Sequence, residues 1–123
     1  MAGKGTILFF NATLTVLEHR FYQLEKIKEL IERSTSYLGL RLRRTVTERY
    51  GENKAFTMIG FLDESHILVT TYPEYMVAEL EIASCKTIEL ESYVGWLSKH
   101  ELFVVHNTVV LSKDEQGKWS RSI

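Results

Sequence analysis

The stretch Asp63-Glu64-Ser65-His66-Ile67-Leu68-Val69-Thr70-Thr71-Tyr72-Pro73-Glu74-Tyr75 decides how the rest of the chain is read. Polar residues lead into an apolar run of β-type residues, which stops at the only proline in the sequence. Proline lacks a backbone donor and has a fixed φ, so it ends ladder pairing and turns the chain. The reading is a short strand over residues 66–71, with Asp63-Glu64-Ser65 as a tight polar connection into it. Beyond Pro73, residues 76–83 alternate, with Ala78, Leu80 and Ile82 on one side and Val77, Glu79 and Glu81 on the other. That pattern predicts a half-exposed antiparallel strand. Before the connection, residues 55–62 read as a mostly apolar strand with Thr57 as its polar exception. Three strands joined by short turns form a meander, and Cys85, the only cysteine, closes it.

Working outward, Gly51-Glu52-Asn53 is a turn signal. Residues 40–50 alternate Leu40, Leu42 and Val46 with Arg41, Arg43, Arg44 and Arg49, a strand with one wet, basic face whose arginines are solvated or paired with neighbouring carboxylates. Residues 16–37 change to a helical period. Leu17, Phe21, Leu24, Ile27, Leu30 and Ile31 share one face, and Glu29 with Arg33 makes a favourable i,i+4 pair on the other. Gly39 is its expected C-terminal stop. Residues 5–10 read as a buried first strand and residues 11–15 as a turn, with Thr13 or Thr15 as a helix cap. Thr87 is the expected cap of a second helix reaching His100, with Leu90, Tyr93, Val94 and Leu97 on one face. A last strand covers residues 101–111, and the polar tail after Lys113 is expected to fray, with Trp119 free to dock.

The order β-α-β-β-β-β-α-β predicts an α+β two-layer sandwich: one antiparallel sheet with two helices on one face. A sheet covered on one side leaves a second face wanting a cover, which makes a homodimer plausible. The 123 residues suit a single domain, 1–123. A net charge of −1 gives no bulk basic field pointing to nucleic acid. No apolar run approaches the roughly 20 residues of a membrane helix. One cysteine and no export signal point to a reducing, cytoplasmic setting.

Glu64-Ser65-His66, a short strand, Thr71-Tyr72-Pro73-Glu74-Tyr75 and a cysteine ten positions on carry a resemblance. The chain resembles the prokaryotic S-adenosylmethionine decarboxylase proenzymes, whose pattern is close to E-S-H-x-x-x-H-T-W-P-E-Y, nine residues and a cysteine. The likeness is good over residues 55–85 and loose elsewhere. It implies the same two-layer protomer, paired sheet against sheet with active sites near the interface. It also implies self-cleavage between Glu64 and Ser65: the serine attacks the preceding carbonyl, the amide becomes an ester, and β-elimination cuts the chain. Ser65 would become a pyruvoyl group, a built-in cofactor that acts as an electron sink when carbon dioxide leaves. The substrate implied is S-adenosylmethionine and the product an aminopropyl donor for spermidine synthesis. No metal is expected.

By the same resemblance Cys85 returns a proton to the substrate after decarboxylation. Thr57 stands where the family has a serine that assists cleavage, and it keeps the hydroxyl. Tyr72 offers a π-face to adenine and the Glu74 carboxylate accepts from the ribose hydroxyls. His66 is grouped with the substrate contacts, and Tyr50 and Phe56 are candidates for the far side of the adenine. One position departs. Thr70 replaces the histidine that serves as base in the eliminating step, and threonine is no base near neutral pH. His66 lies four residues away, over about 10 Å along a strand, and cannot substitute in place. The departure favours a second reading, an unprocessed homologue that binds a nucleoside or regulates a partner. A third is a pyruvoyl decarboxylase of another amino acid.

Overall fold

The computed structural model describes residues 7–51, 55–86 and 88–121. In chain order these form β1 (Ile7–Val16), a 3-10 turn (His19–Tyr22), α1 (Leu24–Tyr37), β2 (Leu42–Tyr50), β3 (Ala55–Leu62), β4 (His66–Tyr72), a second 3-10 turn (Pro73–Tyr75), β5 (Val77–Ser84), α2 (Leu90–Leu97), β6 (Phe103–Lys113) and β7 (Trp119–Arg121). The seven strands make one sheet in the order β2-β3-β4-β5-β1-β6-β7, every pairing antiparallel. The meander β2 to β5 follows the chain, and β1 is inserted between β5 and β6.

Alternation sorts the sheet into two faces. Phe10, Ala12, Leu14 and Val16 of β1 are buried, as are Met58 and Leu62 of β3, Ile67 and Val69 of β4, and Ala78, Leu80 and Ile82 of β5. They join Ile27, Leu30 and Ile31 of α1 and Tyr93 and Leu97 of α2 in one core, so both helices cover the same face. The helices also touch each other: the Ser34 and Tyr93 hydroxyls lie 2.8 Å apart, and Tyr37 stacks on Trp96. Helix α1 packs tightly on the sheet at Gly60. A Cβ there would stand 2.8 Å from Ile31 Cγ2 and 2.9 Å from Leu42 Cδ1.

The C-terminus of α1 ends as its glycine predicts. Gly39 has φ 71, Leu40 N–H donates to the Thr35 carbonyl at 2.8 Å, and Gly39 N–H donates to the Ser36 carbonyl at 3.2 Å. This is the paired closure of a Schellman motif.

Other expectations are corrected. Residues 11–15 are strand, because Ala12 and Leu14 continue the buried alternation of Phe10 and β1 is paired on both sides. Thr13 and Thr15 therefore cap nothing. Helix α1 starts at Leu24; Leu17 is exposed and Phe21 reaches the core from the 3-10 turn. Arg33 lies over the Trp96 ring, 6.0 Å from its centroid, and makes no ion pair with Glu29. Helix α2 is shorter than expected, and the last strand is shifted to Phe103–Lys113. The tail does not fray before Arg121. Asp114 accepts from Gln116 N–H and Lys118 N–H, Gly117 turns at φ 82, and β7 pairs back on β6 with Lys113 over the Trp119 ring. The start of the expected first strand, Glu52 and Asn53 of the turn, and the cap at Thr87 lie outside the described residues.

Candidate active site

The candidate site residues lie on the face away from the helices and at its end. Register lays its side chains out in cross-strand rows. One row reads Glu48, Thr57, Thr70, Glu79, Thr13 and His106 across β2, β3, β4, β5, β1 and β6. The next reads Val46, Ile59, Leu68, Glu81, Asn11 and Val109. A third reads Arg44, Phe61, His66, Ala83, Phe9 and Leu111. The bulge in β6 centres on Asn107 at φ 49, a residue type that tolerates the left-handed region, and it lets both His106 and Val109 fall on this face.

Ser65 lies beyond the third row. The pairing of His66 with Ala83, carried two residues further, sets Glu64 opposite Cys85. Cys85 N–H donates to Ser65 Oγ at 3.4 Å, and Cys85 Sγ lies 3.8 Å from Glu64 Oε2. Leu62 N–H closes the hairpin onto the Ser65 carbonyl at 3.0 Å. Within this turn Glu64 has φ 59, a conformation that non-glycine residues seldom adopt. Asp63 is tied to Arg43 of β2 at 2.8 Å; that hydrogen bond, with the guanidinium charge, holds its carboxyl below the usual range. The turn is thus fixed from one side by Arg43 and faces Cys85 on the other.

Thr57 and Thr70 occupy the far end of the face. Their hydroxyl oxygens are 2.8 Å apart, and the Tyr50 hydroxyl joins Thr57 at 2.5 Å. Four residues of β4 separate Thr70 from His66, about 13 Å at strand rise. One chain therefore divides the expected catalytic residues into two groups: Glu64, Ser65 and Cys85 at one end, Thr57 and Thr70 at the other. His66 sits between them, its Nε2 3.8 Å from Glu81 Oε2.

The register that pairs Thr57 with Thr70 sets Tyr72 opposite Ala55, and Tyr50 pairs with Ala55 from the other side. Tyr50 and Tyr72, both exposed, flank a small residue on the same face. The two strand spacings between them, about 9.6 Å, leave room for a planar ring. Glu74 follows in the 3-10 turn. Phe56 is not part of this arrangement: it is 1% exposed and points into the core.

Sequence reasoning placed Glu79 on the outer side of β5 and went no further. It missed that Thr13 Oγ1 donates to Glu79 Oε2 at 2.8 Å, in the same row as Thr70. Reading residues 11–15 as a turn concealed that bond. The available signal was the alternation of Phe10, Ala12, Leu14 and Val16.

A two-layer α+β protein with its polar groups on the uncovered sheet face defines the structural class. The chain belongs to the S-adenosylmethionine decarboxylase family, whose sequence pattern matches residues 13–102. The crystal structure of the adenosylmethionine decarboxylase from Aquifex aeolicus VF5 shares the fold, with a TM-score of 0.65, 19% identity, and coverage of 85% of this chain and 87% of that chain. No curated protein sequence matches the chain.

Proposed function

We propose that this chain is a self-processing, pyruvoyl-dependent S-adenosylmethionine decarboxylase that works as a cytoplasmic homodimer and supplies the aminopropyl donor for spermidine synthesis. The observation that carries the reading is the meeting of Glu64, Ser65 and Cys85 at a turn whose Glu64 is left-handed. A residue held in that region costs of order 1 kcal/mol or more. The cost falls on the residue whose carbonyl the Ser65 hydroxyl would attack. Cleavage would free that residue and leave the 65 end beside the Cys85 thiol.

The residues fit the pyruvoyl group in kind. Its precursor serine sits in a tight turn with a backbone N–H directed at its Oγ, and a thiol lies alongside. When formed, the group supplies an electron sink for loss of the substrate carboxylate. Tyr50 and Tyr72 clasp the adenine, Glu74 accepts from the ribose hydroxyls, and Cys85 returns the proton to the substrate α-carbon.

The division of the site supports the dimer. A two-fold axis lying in the plane of the face, across the strands near Leu68, reverses the order of the rows. It sets Thr57 and Thr70 of one protomer against the Ser65 end of its partner. The middle row, with Val46, Ile59, Leu68 and Val109, supplies apolar surface for that contact.

A second reading rests on Thr70. An unprocessed homologue would keep the nucleoside slot and lack the cut. Intact mass under denaturing conditions tests the first reading. Two fragments divided between Glu64 and Ser65, the second blocked at its N-terminus, are expected, together with carbon dioxide release from S-adenosylmethionine. A single chain stable for days that still binds S-adenosylmethionine would replace it with the second. Release from arginine or ornithine instead would indicate a different amino acid substrate.

A further inference from the structure

We infer that the Glu79 carboxylate is the proton acceptor for chain cleavage, acting across the dimer on the partner's residue 65; this rests on the proposed self-processing. After the Ser65 hydroxyl has taken the Glu64 acyl group, the ester must eliminate. A base removes the Cα proton of residue 65, that electron pair forms the Cα–Cβ double bond, and the Cβ–Oγ bond breaks to release the Glu64 carboxylate. Water then converts the dehydroalanine end to the ketone and ammonia. The step needs a base, and neither Thr57 nor Thr70 can be one.

Glu79 has the position for it. It is the direct cross-strand neighbour of Thr70 in the row that begins Glu48, Thr57, Thr70. Opposed residues hold their Cβ atoms about 4.5–5.5 Å apart. Thr13 anchors one carboxylate oxygen at 2.8 Å, and among the described residues the other accepts no hydrogen bond. Glu79 is half-buried, so the anchored carboxylate keeps one lone-pair edge for a proton. Three other titratable groups on this face are less well placed. Glu81 is engaged with His66 in the lower rows, Glu48 is exposed on the edge strand, and His106 lies beyond Thr13. The same axis that reverses the rows brings Glu79 and Thr70 together to the partner's Ser65 end.

The test reads cleavage by intact mass over time, independent of decarboxylation. Wild type is expected to cleave. Glu79→Gln, nearly isosteric, is expected to slow cleavage at least about 100-fold, the lower end of what a positioned base contributes. Adding Thr70→His to Glu79→Gln is expected to restore cleavage and to move the acid limb of the pH–rate profile upward from its wild-type position, as an imidazole base replaces a carboxylate. Mixed dimers of Glu79→Gln with Ser65→Ala are expected to cleave the Glu79→Gln chain. Should Glu79→Gln misfold, Thr13→Val, which only detaches the carboxylate, is expected to slow cleavage by about tenfold. Wild-type rates in both Glu79→Gln and Thr13→Val would overturn the role of Glu79 and leave self-processing standing. A slow Glu79→Gln that Thr70→His neither rescues nor shifts in pH would reduce Glu79 to a structural residue and overturn the inference. An uncleaved wild type would remove both proposals.

Discussion

Thr57 and Thr70 face each other across β3 and β4 with hydroxyl oxygens 2.8 Å apart, and Tyr50 extends the chain to a third hydroxyl. Replacing the middle member tests that chain. Thr57→Val keeps the shape and takes a partner from the half-buried Thr70 hydroxyl and from the hydroxyl of the exposed Tyr50. The expected stability loss is about 1 kcal/mol by chemical denaturation, with slower fragment formation. Thr57→Ser keeps the hydroxyl on a freer side chain and is expected to cleave at close to the native rate.

Tyr50 and Tyr72 stand on either side of Ala55, whereas Phe56 is buried. Titration calorimetry of S-adenosylmethionine on the uncleaved Ser65→Ala protein separates the two kinds of aromatic. Tyr72→Ala is expected to weaken binding by about 0.5–1.5 kcal/mol, roughly 2- to 13-fold in Kd, with Tyr72→Phe near native. Phe56→Ala is expected to act on stability instead, lowering it by about 3–5 kcal/mol.

Gly60 leaves no room for a side chain between the sheet and α1. Gly60→Ala places a methyl within 3 Å of Ile31 and Leu42 side-chain atoms. Those atoms must shift, and overpacking of this kind costs about 1–3 kcal/mol. A clear fall in Tm with unchanged secondary structure is the expected result. An unshifted Tm would mean that the helix moves away from the sheet without cost.

His100 stacks on Phe103 with ring centroids 4.3 Å apart, and its Nδ1 accepts from Leu102 N–H. Burial, helped by the Arg33 charge, holds its pKa below the ordinary 6.5. The unfolded chain therefore takes up this proton before the folded one does. His100's contribution to stability is full above pH 6.5 and declines as the pH falls from there through the folded value. Denaturation series at pH 7.5, 6.5 and 5.5 are expected to show a steeper acid loss in the native protein than in His100→Gln.

The meander was legible because Asp63-Glu64-Ser65 and Pro73 punctuate runs of β-type residues, and the split of its faces showed in β5, where Ala78, Leu80 and Ile82 alternate with Val77, Glu79 and Glu81. The N-terminal strand was cut short because Asn11, Thr13 and Thr15 look like a turn. Their polarity comes from lying on the uncovered face, and the strand is recognised only through its buried half. Trp119–Arg121 gave no periodic signal, since a three-residue strand depends on its partner and on the Asp114 turn. The candidate residues Glu64, Ser65 and Cys85 were legible only through the family resemblance, since a serine in a polar turn and a cysteine closing a strand carry no signal of their own. Their separation from Thr70 along β4 followed from strand rise, whereas the cross-strand neighbours of Thr70, Thr57 and Glu79, depend on a register that the sequence does not state.

The two edges of the sheet are poor templates for another strand. At one edge, β2 carries Arg43, Arg44 and Arg49 and a bulge between Leu42 and Arg44. At the other, β7 is three residues long. Charge, irregularity and shortness are the devices that stop ladders from growing sideways. Any self-association by this chain is thereby steered away from open-ended stacking, the geometry of fibres; in the proposed dimer a single encounter would use up the broad face and terminate assembly.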